Sequence, residues 1–121
     1  MSSQQYNLSL KNGKAMIDGK LVTTNIYVKD ETINLISEKN FESDETIDCK
    51  NLLILPGVID SQVHFREPGL EGKENLESGM LAAVSGGVTA IFEMPNTNPL
   101  TITPETIADK LDRARKGAWS D

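Results

Sequence analysis

At 121 residues, 38% of them hydrophobic and 25% charged, the chain has room for one ordinary domain, or for a small domain and part of a second. Its net charge of −6 and scattered basic residues exclude a nucleic-acid groove, which needs clustered Lys and Arg. No apolar run reaches the roughly 20 residues of a membrane helix, the start Met1-Ser2-Ser3-Gln4-Gln5-Tyr6 has no secretory n- or h-region, and Cys49 is a lone cysteine, so a soluble protein of the reducing cytoplasm is expected.

Up to residue 55 the pattern is one of short β-strands. Leu8 and Leu10 alternate, and Asn12-Gly13 reads as a turn. Met16-Ile17 runs into a second turn pair, Asp18-Gly19. Ile26 and Val28 alternate, then Ile33 and Leu35 after a tight break at Lys29-Asp30-Glu31. Residues 38–45 read as a polar loop, and Thr46 to Cys49 and Leu52 to Leu55 complete the set. Strands this short, with one apolar face, need a second layer, so residues 1–55 are assigned to a small β-domain. Cys49 is taken as a strand residue with no chemistry.

After Pro56 the grammar changes. Gly57-Val58-Ile59-Asp60 reads as a buried strand, followed by a loop holding Pro68-Gly69 and Gly72. Leu76, Met80, Ala83 and Val84 form one helical face, in a helix from about Lys73 that Gly86-Gly87 stops. That glycine pair is a helix stop and not a phosphate loop, because no Lys-Ser/Thr follows it. Val88 to Met94 reads as a second buried strand. Thr103-Pro104 caps a second helix, with Ile107, Leu111 and Ala114 as its stripe and Gly117 at its end. Lys110, Arg113, Arg115 and Lys116 read as one end of that helix, with the Arg113–Lys116 group solvated. Trp119-Ser120-Asp121 reads as the run-in to a third strand. Residues 56–121 are thus α/β, two βα units of a doubly wound sheet or of an eight-stranded barrel. Two strands cannot close a barrel of about eight strands and roughly 250 residues, so the chain is expected to be the front of a larger protein.

The residues suited to chemistry gather where each strand ends. Alternation puts Asp60, Gln62, His64 and Arg66 on one face, a row fit for a metal and an anion. Glu93-Met94-Pro95-Asn96-Thr97-Asn98-Pro99 closes the second strand and would open onto the same mouth. Each residue also has a plainer use. His64 serves equally as a structural imidazole, Arg66 as a surface partner of Glu67 or Glu71, and Asn96 as a turn residue. Asp60 then is a solvated strand-end acid and Gln62 a polar filler.

Pro56-Gly57-Val58-Ile59-Asp60 with His64 beyond it resembles the opening of the cyclic amidohydrolases. There a β-sandwich segment leads into a barrel strand carrying Asp-x-His-x-His. His64-Phe65-Arg66-Glu67-Pro68-Gly69 and Met94-Pro95-Asn96-Thr97 resemble, more narrowly, two motifs of the dihydroorotases. The resemblance is weak before residue 56 and strong over 56–100. It implies a (β/α)8 TIM-like barrel hydrolase of pyrimidine biosynthesis, holding one or two Zn2+ per full-length subunit. The substrate class is a small carboxylated cyclic amide, with neither nucleic acid nor membrane as partner. By the same resemblance His64 is a zinc ligand facing the substrate, Arg66 and Asn96 grip the substrate carboxylate, and Asp60 supports the metal from behind.

The sequence departs from the family at Gln62, where the pattern has histidine. An amide is a poor zinc ligand. Either the metal shell is shifted or single, or Gln62 coordinates weakly, or the protein is an inactive relative that scaffolds another enzyme. An allantoinase- or hydantoinase-like activity is the other alternative, and Arg66 tells against it. The piece alone is expected to be inactive, and the full protein a homo-oligomer. Unpaired strand edges would promote association of the piece by itself.

Overall fold

The structure is a computed structural model that describes residues 6–117. The chain forms two compact units, Met1–Pro56 and Gly57–Asp121. Trp119-Ser120-Asp121, expected to lead into a third strand, lies outside the described residues.

The first unit is one five-stranded sheet built around a long strand, β1 (Tyr6–Ile17). β2 (Lys20–Lys29) and β3 (Thr32–Ser37) follow as antiparallel hairpins. β4 (Ser43–Asp48) and the short β5 (Leu53–Ile54) lie parallel to β1, one after the other. Both hairpins turn on two residues of positive φ, Asp18 (48°) with Gly19 (76°) and Asp30 (47°) with Glu31 (63°). This is the I′ pattern, whose twist matches that of the strands it joins. The second turn has no glycine, but its Asp30 N–H donates to Asn7 Oδ1 at 2.8 Å.

The expected turn at Asn12-Gly13 is instead a bulge inside β1. Lys11 and Asn12 face the single residue Asn25, between the pairs Leu10↔Ile26 and Gly13↔Thr24. Buried Asn25 accepts the Asn12 N–H at 2.9 Å, so the interruption leaves no stranded donor and the strand runs on. Gly13 is required there: a Cβ would lie 2.4 Å from Ile54 Cδ1. The polar stretch 38–45 is shorter than expected, because β4 already begins at Ser43. Cys49 is buried but follows the end of β4, so it is not a strand residue.

Tyr27 is completely buried, its ring centroid 5.0 Å from that of Tyr6 and 5.4 Å from that of Phe41. Its hydroxyl donates to Lys39 O at 2.8 Å and accepts the Phe41 N–H at 3.2 Å, which ties down the connection to β4. The expected sandwich is a single sheet among the described residues. Leu10, Ile26, Ile36 and Ile47 align in one cross-strand row, yet Ile36 and Ile47 remain exposed.

In the second unit β6 (Val58–Val63) and β7 (Val88–Glu93) pair in parallel, with α1 (Leu76–Ser85) between them and α2 (Pro104–Lys116) after them. This unit is α/β, with two βα repeats. The strands are not buried as expected: Ile59 is 63% and Phe92 61% exposed. Two parallel strands cover too little of each other to hide both faces. α1 starts at Leu76 rather than Lys73 because Asn75 caps it, accepting the Ser78 N–H at 2.8 Å. Gly86 caps its end and Gly87 (φ 82°) turns the chain back, its carbonyl accepting the Val58 N–H at 2.9 Å. α2 has its N-cap at Thr103, Pro104 in the first turn and Gly117 at its C-cap, as the sequence led one to expect.

Candidate active site at the strand ends

β6 ends at Val63, so the expected alternation from Asp60 through Arg66 breaks down. His64 and Arg66 lie beyond the strand, and the β6–β7 register is irregular between Asp60 and Val63. The loops leaving the two strands are instead stitched to each other. Met94 N–H donates to Val63 O at 2.8 Å, Asn98 N–H to Pro68 O at 2.9 Å and Phe65 N–H to Glu93 Oε2 at 3.1 Å. Gly69 (φ 87°) sits so close to Asn98 that a Cβ would be 1.9 Å from its carbonyl oxygen.

Within that frame His64 and Asn96 meet, with Nδ1 2.9 Å from Oδ1. Asn96 is held by its neighbour Thr97, which is buried. The Thr97 hydroxyl donates to Pro99 O at 2.9 Å and lies 2.8 Å from Thr101 Oγ1. His64 and Asn96 themselves are exposed and open to a ligand. Asp60 Oδ1 accepts the Gln62 N–H at 3.0 Å, turning that carboxylate along its own strand. No hydrogen bond among the described residues joins Asp60 or the Gln62 side chain to His64.

Arg66 is half-buried and has no ion pair among the described residues. The two carboxylates expected as its surface partners, Glu67 and Glu71, are occupied elsewhere. Glu67 accepts the Leu76 N–H at 3.0 Å, at the start of α1, and Arg113 Nη1 at 3.2 Å. Glu71 Oε1 accepts the Gly69 N–H at 2.9 Å. That backbone donor, followed by the residue's own N–H, holds the Glu71 carboxyl below its ordinary value. Because the folded value is the lower one, the bond stabilises the loop at neutral pH and is lost as acid carries the pH down through it. In an acid titration followed by NMR, the Gly69 amide is expected to shift with a midpoint below that of an ordinary glutamate. A midpoint at or above it would contradict the bond.

The ion pairs made by Lys110 and Arg113 were not legible in the sequence. Lys110, read only as part of the helix end, is buried and pairs with Glu93 at 2.5 Å, their side chains 9% and 18% exposed. Arg113 is likewise engaged, with Asp109 at 2.8 Å and with Glu67, and its pKa is raised first by Asp109 and then by Glu67. A glutamate closing an apolar strand was the available signal, since a carboxylate there needs a partner. Behind it lies a cavity of about 470 Å3 lined by Phe65, Leu76, Met80, Ile91, Ile107 and Leu111 among others.

A zinc site needs three or four protein ligands. Among the described residues no group of three or more His, Cys, Asp or Glu comes together to hold a metal. His64 Nε2 fits one ligand position, while the Asp60 carboxylate is engaged with its own strand and Gln62 offers only an amide oxygen. The donors present do not complete a metal site.

A family model described as "Dihydro-orotase-like" matches residues 51–119. A dihydroorotase of Thermococcus kodakarensis is 38% identical over 110 residues, 91% of this chain and 27% of that protein. A dihydroorotase of Bacillus thuringiensis is 44% identical over 115 residues, 93% of this chain and 27% of that protein. Among solved structures, the L-hydantoinase (dihydropyrimidinase) of Arthrobacter aurescens superposes with a TM-score of 0.78 at 31% identity, covering 90% of this chain and 25% of that one. The chain spans about a quarter of the length of the curated relatives it matches.

Proposed function

Since the chain belongs to the dihydro-orotase-like family, we propose that it forms the carboxylate-gripping side of a cyclic amidohydrolase, a zinc-dependent dihydroorotase. The reaction is the reversible hydrolysis of L-dihydroorotate to N-carbamoyl-L-aspartate, a step of pyrimidine biosynthesis, on a (β/α)8 barrel of which this chain supplies two βα units. The observation that carries this reading is Asn96 locked to His64, with Arg66 two residues further along the same loop, half-buried and without an ion pair among the described residues. A planar guanidinium and an amide N–H2 group together match a substrate carboxylate. Zinc, when bound, would polarise the ring amide and lower the pKa of a water. His64 would offer one ligand position, Gln62 at most a weak one, and Asp60 would support the metal from behind. The remaining ligands and the general base would come from other strands, and the enzyme would work as a cytoplasmic homo-oligomer.

Gln62 supports a second reading, a catalytically silent homologue that scaffolds another enzyme. A hydantoinase-like activity is the third, supported by the likeness to the Arthrobacter aurescens structure. In a longer protein carrying this sequence, zinc content, dihydroorotate ring closure and hydantoin hydrolysis separate the three. Arg66→Met is expected to lower kcat/KM for dihydroorotate by about 100-fold, the size expected when a charged hydrogen bond is lost. The 121-residue chain alone should show no turnover. Turnover by that chain, or full activity in the Arg66→Met protein, would sink the reading.

A further inference from the structure

We propose that Asn96 is a positioning residue for His64: it holds the neutral imidazole in the Nδ1–H tautomer, leaving the lone pair on Nε2. An amide oxygen accepts hydrogen bonds and cannot donate them. Oδ1 lies 2.9 Å from His64 Nδ1, and a hydrogen bond between the two requires the proton on Nδ1. Nε2 becomes the nitrogen free to meet a cation or a ligand proton. The coupling runs the other way as well. With its oxygen spent on the imidazole, the Asn96 amide turns its Nδ2 donors away from the ring, and they bond nothing among the described residues.

The two side chains are brought together by tertiary structure, since they stand 32 residues apart. Neither loop is free to swing. Val63 O and Phe65 N–H, on either side of His64, are bound to Met94 and Glu93. Pro95 O, beside Asn96, accepts the N–H groups of Thr97 and Thr101 at 2.9 and 3.0 Å, and the Thr97 side chain is buried. An exposed imidazole without such a frame would exchange between tautomers in water. Here the second loop chooses one.

This coupling rests on geometry, whereas a carboxylate-binding role for Asn96 rests on the function proposed above. The chain contains one histidine, so the imidazole 15N resonances of the 121-residue protein belong to His64 alone. The spectra are recorded at a pH of about 8.5, where the 15N shifts of a neutral imidazole report its tautomer directly. The Nδ1–H form is expected to dominate in the parent protein. Asn96→Asp should retain it, because a carboxylate accepts the same proton, and Asn96→Leu should lose it to a mixture rich in the Nε2–H form. An Nε2–H ring in the parent protein would overturn the proposal without any variant, as would an aspartate variant that behaves like the leucine one. Addition of N-carbamoyl-L-aspartate forms the second arm. A His64 shift in the parent protein, weakened at least tenfold in both variants, is expected. No shift with the tautomer intact would remove the carboxylate-binding role and leave the coupling standing.

Discussion

Gly69→Val is expected to destabilise the Gly57–Asp121 unit by about 4 kcal/mol and to separate Asn96 from His64. Two costs add at this position. A β-branched residue at φ 87° leaves the allowed backbone regions, which costs roughly 1–3 kcal/mol. Its Cβ would also lie 1.9 Å from Asn98 O, a backbone atom fixed by the bond from Asn98 N–H to Pro68 O, so overpacking adds about 1–3 kcal/mol more. The carbonyl has to move, and Asn96 is two residues away. Gly72→Val is the control, because nothing stands within 4 Å of its Cβ and its φ is not positive; it should cost about 0.5 kcal/mol or less. Denaturant titration of both variants gives the energies, and the His64 resonances report the loop. Equal stability of the two variants would refute the close approach of the loops.

Glu93→Leu carries the second large effect, about 3 kcal/mol. Both oxygens of Glu93 are in use, one on Lys110 and the other on the Phe65 N–H. Removing them strands an ammonium whose side chain is 9% exposed, together with a backbone donor at the end of β6. Lys110→Met in the same protein removes the stranded charge but not the stranded N–H, so the double variant should recover about half of the loss. Lys110→Met alone leaves a glutamate that is 18% exposed and still holds the Phe65 N–H, and should cost less than Glu93→Leu. A double variant as unstable as the Glu93→Leu protein would mean that the pair is not coupled. Phe65 follows His64 in sequence, so the loss of this carboxylate should also loosen the imidazole and blur its tautomer.

The elements themselves were largely legible. Both type I′ turns, the Gly86-Gly87 stop and the caps of the second helix depend on residues within one turn of each other, and the sequence contains all of the participants. The loop motifs around His64 and Asn96 pointed to a shared mouth, and the two side chains do meet. Other local signals misled. Asn12-Gly13 has the chemistry of a turn, yet it bulges because Asn25, thirteen residues on, receives its N–H. Alternation placed Arg66 on a strand face, but β6 stops at Val63, where a bond from Met94 closes the ladder.

What the sequence determined by itself is therefore the set of local conformations and the chemical types gathered at each strand end. The tertiary structure decided which of those groups are spent on one another. Glu93 meets Lys110 across 17 residues, Glu67 meets Arg113 across 46 and His64 meets Asn96 across 32, and no periodicity within one element encodes such pairs. A polar side chain buried by packing must find whatever partner the fold brings within about 3 Å, and that partner is known only when the chain has closed on itself.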